Sequence, residues 1–259
     1  EARDAFRSDL ARSLAATVAA HGIDYLPGSV ELGDFDPTST SIAFAPGGEP
    51  QDLPPPRARA TYERYWREFV ARRDGLARGD DYTPYELRNV ATFVRLGWRE
   101  RAMELLDFFM QGRRPAGWNQ WAEVVGRDAR TPRFIGDMPH AWVASDFIRS
   151  VLDLFVYERT ADRSLVLAAG VPGSWLDEGV AIDGLRTPYG TFGYTLSRDG
   201  SRVALDLAAG PRVPPGGFVF TWPLAHPPGA TRINGRLTRW HNGELVIREL
   251  PARVEVEQR

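Results

Sequence analysis

The chain has 259 residues, a formal net charge of -2, 43% hydrophobic and 25% charged residues, which excludes a disordered or collagen-like polymer. It has no cysteine and no lysine, all 32 basic residues being arginine; disulfides, thiolate nucleophiles, Cys-ligated zinc, Schiff-base lysines and Walker-type phosphate lysines are therefore excluded. No apolar run reaches the roughly 18 residues of a membrane span, and the slight acidity argues against a nucleic-acid partner.

The opening Glu1-Ala2-Arg3 carries no signal-peptide pattern and gives no sign of a compartment. Phe6, Leu10, Leu14 and Val18 recur every fourth residue before Gly22, which predicts an amphipathic helix already under way at the start. The chain is expected to continue a longer polypeptide. Residues 58–73 set Tyr62, Tyr65, Trp66, Phe69 and Val70 on one helical stripe. Thr83, Pro84 and Glu86 spell a helix start with a capping box, and Leu87, Val90 and Val94 continue it to Gly97. A second helix from Trp98 to Gln111 completes an αα-hairpin. The last helix is expected over Pro139–Glu158. Its apolar residues, Trp142, Val143, Phe147, Ile148, Val151, Leu152 and Phe155, cover most of its circumference and predict a central, buried position.

Two long connections, 23–57 and 113–138, join these helices, with a strand-like piece at Ile42–Phe44. Connections of this length in a compact domain are uncommon unless functional or disordered. After Arg159 the period changes. Leu165–Leu167, Tyr194–Leu196, Val203–Leu207, Phe218–Trp222, Leu245–Ile247 and Val254–Val256 read as strands. Asp199-Gly200, Asn234-Gly235 and Asn242-Gly243 supply hairpin turns. The fold class is thus α+β: a helical domain over 1–160, then an antiparallel β-sandwich of about eight strands over 161–259.

Glu123 leads the candidates for chemistry. It follows Trp118, Asn119, Gln120 and Trp121, so indoles that stack on sugar rings and amides that bond hydroxyls sit beside a carboxylate. A plain ion pair with Arg113, Arg114 or Arg127 is the commoner use of such a glutamate. Asp34 and Asp36, with Thr38, Ser39 and Thr40, read either as hydroxyl-binding groups or as Asx-turn and cap chemistry. Asp137 and His140 flank Pro139, where Asp137 is either a cap or a ligand group. Tyr85 stands near the same helix end as Glu86 and within reach of a ligand. His21, His226 and His241 lack metal spacing, and no His-Glu-x-x-His stretch occurs. Neither a metal nor a cofactor is expected. There is no Gly-x-Ser-x-Gly elbow and no glycine-rich nucleotide loop.

Taken in order, Asp36-Pro37-Thr38-Ser39 running on to Pro46, the helical hairpin, Gly117–Val124 and Gly136-Asp137-Met138-Pro139-His140-Ala141-Trp142 resemble the end of the catalytic barrel in six-hairpin (α/α)6 glycosidases of the glucoamylase and trehalase type. Pro172-Gly173-Ser174-Trp175-Leu176 and Thr187-Pro188-Tyr189-Gly190 resemble the C-terminal sandwich of rhamnosidase-like members. The resemblance implies an inverting glycoside hydrolase with Glu123 as general base, and a carbohydrate substrate met by Trp118, Trp121, Asn119, Gln120, Asp34, Asp36, Tyr85, Asp137 and His140. It also implies that the general acid belongs to barrel hairpins upstream of these residues, required as a partner for turnover. A phosphorylase of the same superfamily and a non-catalytic carbohydrate-binding or architectural module are the alternatives.

Overall fold

The computed structural model describes residues 1–48, 50, 53–77, 81–126 and 136–258. Among them six α-helices precede ten strands, an α+β arrangement in which the two periods do not interleave. The chain forms two compact units, Glu1–Val151 and Leu152–Arg259.

In the first unit, helix α1 (Ala2–His21) stops where Gly22 turns left-handed at φ 61° and donates its N–H to Val18. Its apolar stripe is buried only at the end, at Thr17 and Val18, whereas Phe6 and Leu10 stay exposed. A short helix α2 (Pro37–Thr40) follows, capped by Asp36, and a 3-10 turn continues it over Ser41–Ala43. The strand expected at Ile42–Phe44 is therefore absent. Pro37 at the first helical position and the Asp36 cap launch helical turns that outweigh the β-propensity of one isoleucine.

Helix α3 (Pro55–Arg73) carries the predicted stripe inward: Tyr62, Tyr65 and Phe69 are buried. They meet Phe93 of α4 (Arg88–Arg95) and Phe109 of α5 (Arg99–Gln111) in edge-on and tilted aromatic pairs 6.0–6.4 Å apart, geometries that suit the ring quadrupole. Gly97, at φ 75°, makes the turn between α4 and α5. The capping box expected at Thr83 is only half present. Thr83 Oγ1 accepts from the Tyr85 N–H at 3.3 Å, but the Glu86 carboxylate turns into the core. There it receives Arg72 on both oxygens, at 3.0 and 2.9 Å, and the Tyr65 hydroxyl at 2.7 Å. A buried charge with a partner in reach takes the partner rather than a backbone N–H.

Helix α6 (Ala141–Phe155) departs from expectation twice. It ends three residues early, because Val156–Arg159 pair as strand β1 with β2 (Ser164–Leu167). It is also buried on one side only, with Trp142, Ile148 and Leu152 exposed.

The second unit starts at Leu152 rather than at residue 161, since the last turn of α6 belongs to it. The Phe155 carbonyl accepts from Ala168 N–H at 2.8 Å and from the Tyr194 hydroxyl at 3.1 Å. The remaining strands are β3 (Val180–Thr187), β4 (Gly190–Asp199), β5 (Arg202–Leu207), β6 (Phe218–Thr221), β7 (Pro228–Ile233), β8 (Arg236–Thr238), β9 (Glu244–Ile247) and β10 (Ala252–Gln258). They make one sheet of order β1-β2-β6-β9 and another of order β3-β4-β5-β10-β7-β8. All pairs are antiparallel except β2 with β6, which is parallel. Side chains of both sheets share a single core, in which Phe192 of one stacks on Phe218 of the other at 5.1 Å. Asp199-Gly200 and Asn234-Gly235 make the β4–β5 and β7–β8 turns, with positive φ at Gly200, Asn234 and Gly235.

Candidate functional site

The Glu123 loop is tied to the entry of α6 by backbone hydrogen bonds. Glu123 N–H donates to the Asp137 carbonyl at 3.0 Å, and His140 N–H donates to the Trp121 carbonyl at 3.1 Å. On the other side Tyr82 and Val125 exchange both backbone hydrogen bonds at 2.9 Å. Gly136 makes the approach possible. It sits at φ 64°, and a Cβ there would stand 2.7 Å from the Glu123 Cβ and closer still to its carboxylate.

This lacing gathers Glu123, Asp137 and His140, one donor atom of each lying within 4.8 Å of the others. His140 is only 8% exposed. Its Nε2 makes a short hydrogen bond with the Tyr85 hydroxyl, and its Nδ1 stands 3.7 Å from Asp137 Oδ2. Tyr85 lies edge-on to His140, with ring centroids 5.1 Å apart. Burial first, then the negative charge of Glu123, pushes the Tyr85 hydroxyl up from its ordinary value, so it keeps its proton. Arg88 covers the Tyr85 ring at 5.2 Å and grips Asp146 with two nitrogens at 3.1 and 2.8 Å. Desolvation nonetheless raises the Asp146 carboxyl, against the pull of Arg88. Trp142, 70% exposed, is 6.2 Å from Tyr85 and 6.3 Å from His140 between ring centroids.

Of the residues singled out from sequence, Glu123, Asp137, His140 and Tyr85 come together, and the others do not join them. Trp121 is 2% exposed, donates its indole N–H to the Phe109 carbonyl at 2.7 Å, and packs on Phe147. It is a core residue with no face to offer a sugar. Trp118, by contrast, is 63% exposed on a 3-10 turn, Ala116–Trp118. Asn119 ends that turn in the left-handed region at φ 51° and accepts from Arg113 at 2.6 Å, and Gln120 holds the Arg114 N–H with its backbone carbonyl. Asp34 accepts from both the N–H and the hydroxyl of Ser29, which lowers its carboxyl. Asp36 caps α2 through Ser39 N–H at 2.9 Å. These two aspartates fold their own loop, as Asx chemistry does, which is the second of the two uses the sequence left open for them. Of the arginines weighed as partners of Glu123, Arg113 reaches Asn119 and the Met110 carbonyl instead, and Arg127 lies outside the described residues.

Arg88 and Asp146 enter the site without having been singled out, and Trp142, expected as a buried residue of the last helix, enters it from an exposed position. The Arg88–Asp146 pair spans 58 positions and leaves no local signal. A tryptophan at the first turn of an apolar helix was a usable one. Beyond the Tyr82–Val125 bridge lies a cavity of about 510 Å³ walled by Arg72, Tyr82, Asp107, Phe108, Gln111 and Arg114. Burial pushes the Tyr82 hydroxyl there up to about 12. Comparison with protein-family models, curated proteins and solved structures finds no match.

Proposed function

We propose that the chain is the carbohydrate-handling end of a glycoside hydrolase, with Glu123 as the base that takes a proton from water. The observation that carries this reading is the meeting of Glu123 with Asp137, His140 and Tyr85 beside the exposed Trp142. A carboxylate bordered by hydrogen-bonding groups and an open indole face suits a sugar ring and its hydroxyls. Trp142 takes over the stacking role that Trp121, being buried, cannot fill.

Asp137 is not the second carboxylate of an inverting pair. Its oxygen comes within 4.8 Å of Glu123, short of the roughly 6.5–9.5 Å that leaves room for water. The general acid is instead assigned to upstream barrel hairpins, as the resemblance implies.

Two measurements test the proposal. Oligosaccharide titration of the chain should show binding that Trp142→Ala weakens. With the upstream hairpins supplied in the same polypeptide, Glu123→Gln should lower kcat by about 10²–10⁴ with KM held. Parental turnover in a folded Glu123→Gln protein removes Glu123 as base. Glycan binding without turnover favours the binding-module alternative.

A further inference from the structure

Glu123 and Asp137 bring two carboxylates together, and among the described residues no guanidinium is paired with either. The third carboxylate nearby, Asp146, already has Arg88. Buried His140 completes the group, aiming Nδ1 at Asp137 Oδ2 from 3.7 Å, which is too long for a hydrogen bond. Its other nitrogen is held by Tyr85. When Nε2–H donates to the tyrosine oxygen, the Nδ1 lone pair points into the space that the carboxylates face. Metal-binding histidines are oriented in this way, one nitrogen tied to an outer partner and the other free to coordinate.

We propose that Glu123, Asp137 and His140 form a site for one divalent cation of the zinc, cobalt or manganese class. Two carboxylate oxygens with one imidazole, and no sulfur, select that group over soft metals and over the all-oxygen sites of magnesium and calcium. Ligands about 2.0–2.2 Å from one ion stand roughly 3–3.5 Å apart. The present separations, up to 4.8 Å, need a modest closure. Asp137 can supply it, since its side chain is 82% exposed and free to swing. The Glu123 and His140 backbones are pinned by their hydrogen bonds to Asp137 and Trp121, and three protein ligands leave a position for water or substrate.

The site stands independently of the hydrolase reading. With the ion bound Glu123 is a ligand and not a base, so under that reading the cation inhibits turnover.

The chain is titrated with Zn²⁺ by calorimetry and with Co²⁺ by visible absorption. One equivalent should bind, with d–d bands from cobalt in a protein site. Asp137→Asn, at an exposed position where folding is not at stake, should weaken binding by about tenfold or more. Tyr85→Phe, which only frees the outer nitrogen of His140, should also weaken it, by about 10–100-fold. Absence of binding at millimolar metal overturns the proposal. So does one-equivalent binding that Asp137→Asn and His140→Gln both leave unchanged, or several weak equivalents without cobalt bands. Oligosaccharide binding measured on the same samples judges the other reading separately: a chain that holds zinc but no glycan keeps this site and loses that function.

Discussion

The two units solve the problem of burial differently. In the sandwich, alternating strands turn Val203, Leu205 and Leu207 inward with Val254 and Val256 beside them. Among the described residues, the buried positions of its strands include no carboxylate and no imidazole. Its ion pairs, such as Arg198 with Asp177, sit at the surface. The helical unit instead buries Glu86 and His140 among aromatic rings. Packing alone does not call for either, because an apolar residue of similar size costs less to desolvate. In the second unit the buried carboxylate, Asp153, lies on the last turn of α6 and not in the sandwich strands.

The largest effects should come from the groups that define each core. Phe218→Ala should cost about 3–5 kcal/mol in the sandwich, and Trp121→Ala a similar amount in the helical unit. Chemical denaturation of each variant checks this. A neutral Trp121→Ala would break the comparison by returning that ring to the ligand surface. Glu86→Ala removes the buried acceptor shared by Arg72 and Tyr65 and should also cost about 3–5 kcal/mol, whereas an apolar replacement of Glu86 and Arg72 together should recover most of the loss. If the double replacement is as damaging as the single one, Glu86 has a role beyond pairing.

A smaller effect is expected at Gly136. Alanine there must hold a left-handed φ and displace the Glu123 carboxylate, at roughly 1–3 kcal/mol. The variant should therefore lose stability and cation affinity together, which thermal melts and zinc titration can read in one sample. Gly97→Ala is the control. It has a similar φ but open space around its Cβ position, so it should cost stability alone.

Much of the sandwich was legible because a period of two and Asx-Gly turns are local signals. Four strands escaped: β3 and β8 although Val180 and Ile182 alternate and Asn234-Gly235 precedes β8, and β1 and β7 because they carry no such signal. β1 has the sequence Val-Tyr-Glu-Arg, which continues a helix as readily, and becomes a strand only because β2 pairs with it. β7 opens on Pro228 and Gly229, which read as loop. In the helical unit the residue types at the site were legible, but not their division of labour. Trp118 and Trp121 look equivalent in a polar loop, and only the fold puts one in solvent and the other against Phe147. Asp36 is a cap and Asp137 a cluster member, although a proline follows each within two residues. Glu86 fits the capping-box spacing and still turns to Arg72, because Arg72 lies on a helix whose approach the local sequence does not encode.

A near-zero effect sharpens the contrast within the loop. Trp118→Ala removes an exposed indole and should shift folding stability by no more than about 0.5 kcal/mol. Any drop in oligosaccharide affinity in that variant then reports direct stacking of the indole on the sugar.

The smallest expected effect is electrostatic and belongs to the sandwich. Burial raises the Asp162 carboxyl, but hydrogen bonds from Arg159 and Ser164 outweigh it and hold the group below its ordinary 3.8. The folded state therefore binds this proton less readily than the unfolded chain. The stabilisation is complete above the unfolded value and is lost as pH falls through the lower folded one. Partial exposure and salt screening keep it small. The melting temperature of the sandwich should thus decline as pH drops from about 5 toward 3, and Asp162→Asn, which cannot ionise, should flatten part of that decline. Arg159 also pairs with Glu244, so the variant should keep the β1–β2 hairpin folded at neutral pH. An acid slope identical in the parent and in Asp162→Asn would assign the decline to other carboxylates, with Asp177, lowered by its bond to Arg198, the next to test.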